Sequence, residues 1–341
     1  MDVGSQGGGI LPRQAPAVRP SARGAVLYCR RLRVSRGIRA AAWALVATGV
    51  AAPALRRRLK LPPAAVIGAS AVAPVALCVA VPRSRGRDAA VCILNMWGYL
   101  AAYEMPNDDP ERLASRVRVR YPIAIDKTIG LGVPPTLRLQ RMFSSPGRVN
   151  RLEKVLVWCH WMWFFVPHGS VAYVLLRDRE RFGRAALRMY AVFDLGVIFY
   201  WAIPTAPPWF AAQRGELGDR EAMRVRRMMI EYGQQFWGDR WDGLYDVLGG
   251  NPLAAMPSLH FATSLMAAHV LADSNRVAGA LGWSYAVTLG LALVYLGEHY
   301  VADLIAGAAL AETVRIAAPR LARPASRLSR MVQALEARAA A

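Results

Sequence analysis

The sequence predicts an all-α fold, a polytopic membrane protein, and three observations carry that prediction. Of the 341 residues, 55% are hydrophobic, above the roughly 45–50% of soluble chains. The apolar residues gather into eight runs, at about 37–55, 63–82, 88–103, 155–176, 185–204, 258–272, 277–297 and 299–317, and a helix crosses hydrocarbon with roughly 17–25 residues. The basic residues punctuate these runs instead of forming one stripe. Length alone would suggest two soluble domains, because one core seldom grows past about 250–300 residues. The apolar runs overrule that.

Taken in order, residues 1–36 are rich in Gly, Pro, Ser and Arg without a hydrophobic period, so they are expected to form a disordered basic arm. Residues 37–103 hold the first three runs, as N-terminal transmembrane segments. Runs 88–103 and 258–272 are at or below the spanning limit, so six to eight crossings are expected. Residues 104–154 interleave apolar and charged residues, as in Ile129-Gly-Leu-Gly-Val-Pro-Pro-Thr-Leu-Arg-Leu-Gln-Arg-Met-Phe143. Such a stretch suits an interfacial amphipathic segment with arginines snorkelling to phosphate, or equally a solvated loop with one short helix. Residues 155–316 hold the remaining runs, and 317–341 form a basic tail.

Cytoplasmic loops collect Lys and Arg. Arg177, Arg179, Arg181 and Arg184 between two runs, and Arg320, Arg323, Arg327, Arg330 and Arg338 in the tail, place both regions inside. Segment 205–257 carries six arginines against seven acids, net −1, and is expected outside. Arg30, Arg31, Arg33, Arg36 and Arg39 put the N-terminus inside. Arg56, Arg57, Arg58 and Lys60 run against the pattern, since the same parity places them outside.

The net charge is +20, with only three lysines among 43 basic residues. Without a basic stripe and interleaved aromatics it points to no nucleic-acid partner. Cys29, Cys78, Cys92 and Cys159 show no CxxC pairing, which argues against a disulfide framework or structural zinc. The first apolar run starts too late for a secretory signal peptide.

Histidines inside apolar segments are costly enough that function is the default hypothesis. His260 lies in Met256-Pro-Ser-Leu-His-Phe-Ala262, where Pro257 and Ser258 suit a helix start with a hydroxyl and free N–H groups for an anion. His299 lies in Tyr295-Leu-Gly-Glu-His-Tyr-Val-Ala-Asp303. On a helix His299 and Asp303 would share a face, the carboxylate holding one ring nitrogen and freeing the other as nucleophile. Two histidines and a carboxylate suggest phosphoryl transfer, one imidazole attacking phosphorus and the other protonating the leaving oxygen. That scheme calls for no metal and no cofactor. There is no HExxH run, acidic magnesium cluster or P-loop. The bland alternative is two histidines buried by chance. His269 falls half a turn out of phase with His260. His160 and His168 flank Trp161, Trp163, Phe164 and Phe165, where a belt or core role is favoured over catalysis. Phe236, Trp237, Trp241 and Tyr245 follow helical spacing and are expected to pack at the interface.

Pro-Ser-x-His at 257–260 and His-x3-Asp at 299–303 resemble the second and third signature motifs of the type-2 phosphatidic acid phosphatase superfamily. Ala206-Pro-Pro-Trp209, Met256-Pro-Ser-Leu-His260 and Gly297-Glu-His-Tyr300 resemble more narrowly its inositolphosphotransferase branch, which includes fungal inositol phosphorylceramide synthase. The resemblance covers about 155–316. It implies a six-helix membrane core behind extra N-terminal segments, His299 as nucleophile, Asp303 as its orienting partner and His260 as general acid. The chain departs from the phosphatases in two places. Their first motif, a Lys spaced from Arg-Pro, is absent, and Ala292 and Leu293 stand where their third motif begins Ser-Arg. The phosphoryl oxygens still need donors, so Ser258 and either Arg226 or Arg227 are nominated, the alternative for the arginines being an exposed basic helix face. The expected activity is phosphotransfer on lipid-linked phosphates, with lipid-phosphate or polyprenyl-diphosphate hydrolysis as the alternative and a silent scaffold or transporter as the third. The expected place is the plasma membrane, with an extracytoplasmic site and with membrane lipids and a lipid phosphate as partners. Oligomeric state is left open.

Overall fold

Polar caps decide where the helices begin. Ser84, Asp109, Asn150, Asp178, Ser258 and Asn275 each accept a backbone N–H three residues on, satisfying donors that the first helical turn leaves free. Asn150 and Glu153 bond reciprocally in a capping box. A computed structural model describes residues 22–145, 147–217, 224–248 and 250–340, of which the helices are α1 Ala22–Leu55, α2 Pro63–Ala80, α3 Arg85–Glu104, α4 Pro110–Arg116, α5 Arg120–Ile129, α6 Pro135–Phe143, α7 Arg151–Trp161, α8 Val166–Arg177, α9 Arg179–Ala202, α10 Pro208–Gln213, α11 Met228–Trp237, α12 Trp241–Leu248, α13 Leu259–Ala272, α14 Arg276–Tyr295 and α15 Val301–Ala340. The structure is 80% helical, with no sheet among the described residues.

The eight apolar runs appear as α1, α2, α3, the α7–α8 pair, α9, α13, α14 and α15. Among the described residues four stretches are long and apolar enough to cross a membrane by themselves, Ser35–Leu55, Pro63–Ala80, Arg179–Ala202 and Arg276–Tyr295. The others fall short for visible reasons. Helix α13 has only 14 residues, a 3-10 turn at Met162–Phe164 separates α7 from α8, and α15 carries Asp303, Glu312 and Arg315. Residues 1–21 of the expected arm lie outside the described residues, and 22–36 belong to α1 rather than to an irregular arm. The expected tail continues α15, where Val332 and Ala339 pack on Ala42, Val79 and Ala80.

The main core lies where α3, α8, α9, α13 and α15 meet, with Tyr99, Val171, Met189, Phe193, Tyr200, Met266 and Ala311 buried. Outward faces are apolar and exposed, as at Ile93, Ile198, Val277, Leu281 and Val287, which suits a hydrocarbon solvent. Helices α13 and α14 form an antiparallel hairpin, so the bundle has two distinct ends. One holds residues 257–260 and 296–303. Arg56 meets Glu104 at 2.8 Å and Asp108 at 3.1 Å, and Arg57 meets Asp108 at 2.6 Å. Tyr103 and Asn107 bond the carbonyls of Asn251 and Gly250, so these arginines sit at the histidine end with acids to neutralise them. The other end gathers the 81–84 turn, the α8–α9 junction, the α13–α14 turn and Glu336, which pairs with Arg87 at 3.0 Å.

Residues 104–154 hold three short helices, α4, α5 and α6, where one was expected in a loop. Helices α5 and α6 fold over the histidine end and bury Ile123, Asp126, Leu137 and Gln140. Extended backbone at 118, 204–206 and 253–255 pairs around Thr205. Arg118 N–H donates to Pro204, Ala206 N–H to Arg118, Thr205 N–H to Leu253 and Ala255 N–H to Thr205, all at 2.8–3.1 Å. This irregular ladder carries the chain into the Met256–Ala262 motif.

Candidate active site

His260 sits in the first turn of α13, and its Nδ1 is 3.2 Å from His299 Nε2. His299 Nδ1 is 3.3 Å from Asp303 Oδ2. His299 is 4% exposed and Asp303 fully buried, so the three side chains meet out of water. Both nitrogens of His299 are engaged, and partner chemistry assigns the proton on Nδ1 to the carboxylate side.

The local geometry differs from a shared helix face. His299 lies in the loop before α15, and Asp303 is in the first turn, where its Oδ2 also accepts the Tyr300 N–H at 2.9 Å. The aspartate thus reaches back past the helix start, capping α15 and holding the imidazole together. Asp126 supplies two more acceptors to the same helix end, taking the N–H groups of Val301 at 3.1 Å and Ala302 at 2.9 Å. Burial pushes the Asp126 carboxyl up to about 6, against the pull of those two N–H groups. Sequence reasoning missed Asp126. Its signal was an acid inside the apolar Pro-Ile-Ala-Ile-Asp-Lys stretch of α5.

Ser258 caps α13 through its Oγ, which accepts from Phe261 N–H at 3.3 Å, while its own N–H donates to the Asp303 carbonyl at 3.0 Å. Its N–H is therefore engaged rather than free for an anion, and the residue is fully buried. Its hydroxyl proton can still be donated. A Cβ at Gly307 would lie 2.5 Å from the Ser258 carbonyl oxygen, so the crossing of α13 and α15 needs glycine there.

The two nominated arginines part company. Arg226 donates Nε to Glu231 at 3.2 Å, Nη1 to the Ser145 carbonyl at 2.8 Å and Glu153 at 3.5 Å, and Nη2 to the Arg148 carbonyl at 3.5 Å and to Glu231. Its guanidinium is fully engaged in anchoring α7 and α11, which corrects its nomination as a phosphate ligand. Arg227 lies 3.8 Å over the Trp209 ring and donates Nη2 to Tyr245 Oη at 2.8 Å, while its Nε is buried without a hydrogen-bond partner. Neither arginine forms part of an exposed basic helix face.

Gly297 joins Arg227 to the histidines. It has φ +84°, and a Cβ there would lie 2.5 Å from Val225 Cγ1, so only glycine lets the loop press on the 225–227 segment. Gln140 fixes the same contact, donating to the carbonyls of Tyr295 at 2.8 Å and Arg226 at 3.1 Å and accepting the Arg226 N–H at 2.9 Å. Glu298, next to the nucleophile candidate, has a buried Oε1 without a partner. Burial raises its carboxyl, with Arg227, His299 and the Trp209 indole pulling the other way. Trp209 of the Ala-Pro-Pro-Trp segment therefore stands beside the site.

His160 is buried as a core role requires, and it packs beside this site. Its ring is 4.9 Å from that of His260, it is 6% exposed, and neither ring nitrogen has a hydrogen-bond partner. Trp163 packs 4.2 Å from His260 and donates to Thr263 at 2.8 Å. His168 stacks on Phe193 at 5.4 Å. His269 pairs with Glu312 at 2.6 Å, far along α13. Trp161, Tyr232, Phe236, Trp237 and Trp241 form one aromatic cluster.

A family model described as the PAP2 superfamily matches residues 123–317. The match begins inside α5, earlier than the resemblance at 155, and so takes in Asp126 and Gln140. No curated protein and no solved structure matches the chain. With its helical bundle, apolar outward faces and matched span, the chain belongs to the PAP2 superfamily, a helical membrane fold of phosphatase and phosphotransferase enzymes acting on lipid phosphates.

Proposed function

We propose that this chain is a metal-independent phosphotransferase that moves a phosphorylated headgroup from a lipid-linked donor to an alcohol through a phosphohistidine on His299. The observation that carries this reading is the buried run of contacts from Asp303 through His299 to His260. With Nδ1–H turned to the carboxylate, the lone pair of His299 Nε2 attacks phosphorus. A P–N bond forms as the P–O bond to the donor alkoxide breaks, and His260 gives that alkoxide its proton. An acceptor hydroxyl then attacks the phosphohistidine and returns its proton to His260 as the P–N bond breaks. A phosphoryl group entering the site replaces the direct His260–His299 hydrogen bond.

Three phosphoryl oxygens need donors while charge develops. Arg227 offers its unpartnered Nε, His160 an unpartnered imidazole N–H, and Ser258 its hydroxyl proton. Arg227 stands in for one of the cations that the phosphatase motifs would supply, and His160 adds a neutral donor. Burial of the site supports an alcohol acceptor over bulk water, as does the wording of the three inositolphosphotransferase-like motifs. Lipid-phosphate hydrolysis shares the first half-reaction and differs only in the acceptor. The arginine distribution, with Arg56 and Arg57 neutralised by Glu104 and Asp108, supports a site on the extracytoplasmic face of the plasma membrane.

The test is purified full-length protein with labelled phospholipids and polyprenyl phosphates, with and without EDTA. Label on a second lipid or glycan in the presence of EDTA is the expected result. Free phosphate as the sole product would make the enzyme a hydrolase, and loss on chelation with rescue by Mg²⁺ or Zn²⁺ would remove the mechanism.

A further inference from the structure

At the end of the bundle away from the histidines, a cavity of about 330 Å³ opens between α8, α9 and the α13–α14 turn. Its lining includes Arg181, Arg184 and Arg188 against one carboxylate, Asp273, with Val174 and Val270 as apolar wall. Asp273 holds two of the arginines in place. Arg188 Nη1 meets its Oδ2 at 2.9 Å, and Arg181 Nη1 bonds its backbone carbonyl. Donors remain after that pairing. Arg188 Nε is buried without a hydrogen-bond partner, and Arg184 makes no hydrogen bond or ion pair among the described residues. A buried guanidinium N–H left unpaired is costly, and a concave wall of such groups beside apolar side chains fits an amphiphile with an anionic head.

From His260 to Asp273 is thirteen helical steps, or roughly 20 Å, so this cavity is separate from the candidate active site. It opens among Arg177, Arg179 and the other arginines of the α8–α9 junction, the end at which positive charge meets the anionic leaflet.

We infer that this cavity binds the phosphate headgroup of an anionic membrane phospholipid, with Arg184 and Arg188 as its donors. This site takes no part in the proposed chemistry and stands without it. The test compares wild type with Arg184→Glu in nanodiscs of phosphatidylcholine doped with phosphatidylglycerol, reading retained phosphatidylglycerol by native mass spectrometry and the melting temperature by fluorescence. Arg184 is exposed and unpaired, so this variant folds, and its turnover on a soluble aryl phosphate stays within twofold of wild type as the control. Vanadate is present in the lipid-retention and melting measurements to occupy the histidine site, and is left out of the turnover control. Wild type is expected to retain one more phosphatidylglycerol than Arg184→Glu and to bind it about tenfold more tightly, the effect of reversing one charge near a membrane surface. Phosphatidylcholine alone should give no such difference. Equal retention by both proteins would overturn the inference. Equal protection by millimolar inorganic phosphate in detergent would replace the lipid with a free anion.

Discussion

The two ends of the bundle are built by opposite means. At the histidine end the backbone is irregular, and its polar groups are buried and bonded reciprocally. Asp126 holds the start of α15, Gln140 clamps the end of α14 to the backbone at 226, and Thr205 ties three segments together. At the arginine end the helices turn tightly and several charged groups face outward, with the side chains of Arg179 and Arg181 still 40% and 55% exposed, while Arg87 and Arg188 are mostly buried against acids. Buried hydrogen bonds fix positions to fractions of an ångström because leaving one unmade is expensive. Exposed guanidinium groups attract anions without fixing them, since their pairings are worth little in high dielectric. One end is fit for positioning atoms, the other for capture by charge.

The sharpest way to break the comparison is to remove the imidazole on which the histidine end converges. His299→Ala is expected to abolish turnover and any acid-labile ³²P phosphoenzyme, since no other group in the cluster is placed to form the P–N bond. Label still trapped by that variant would place the nucleophile elsewhere. His260→Ala is expected to cost on the order of 10²–10⁴-fold on a lipid alkoxide leaving group, and far less on an activated aryl phosphate that departs without a proton. Equal losses on both substrates would show that His260 is not the acid.

Arg226 and Arg227 sharpen the contrast between neighbours. Arg227→Gln is expected to raise KM for the phosphorylated substrate about tenfold or more, with little change in melting temperature. Arg226→Gln leaves the fully buried Glu153 without its cation and should cost stability, about 3–5 kcal/mol for a broken buried pair, while folded enzyme keeps its KM. Kinetics and thermal melts on both variants decide it. The reverse pattern would exchange their roles.

The smallest effect belongs to Asp126. Its folded pKa of about 6 lies above the ordinary carboxylate value near 3.9. Between those values the native state holds more protons here than the unfolded chain, so stability falls as pH rises through the window and is level above it. Asp126→Asn keeps an acceptor for one of the two α15 N–H groups, at some cost in stability at every pH, and should flatten that slope, worth on the order of 2–3 kcal/mol across the window. Melts from pH 4 to 7 measure it, and an unchanged slope would assign the titration to another group.

Much of this was legible beforehand, for reasons that differ by residue. The apolar runs announced the bundle because hydrocarbon tolerates few charges. His260, His299 and Asp303 could be found because their spacing is short-range and chemically unusual. The failures were of three kinds. Neighbours in extended chain point opposite ways, so nothing local told Arg226, turned into an ion-pair network, from Arg227, turned towards Trp209 and Glu298. His160 comes to His260 only through the packing of α7 on α13, a contact a hundred residues apart. Residues 104–154 balance apolar and charged positions, and that balance left an amphipathic segment and a loop with one short helix equally open, where the structure has α4, α5 and α6.

Asp303 closes a helix and steadies an imidazole with one carboxylate, and this sets the order in which a lineage can lose the reaction. Under the proposed chemistry, relaxed selection on the reaction frees His260 and His299 to drift at once. The aspartate stays under selection for as long as α15 must begin where it does, because removing it uncaps a buried helix end. Among descendants of this chain, an aspartate at 303 would report that the fold persists, and only a histidine at 299 beside it that the proposed chemistry persists too.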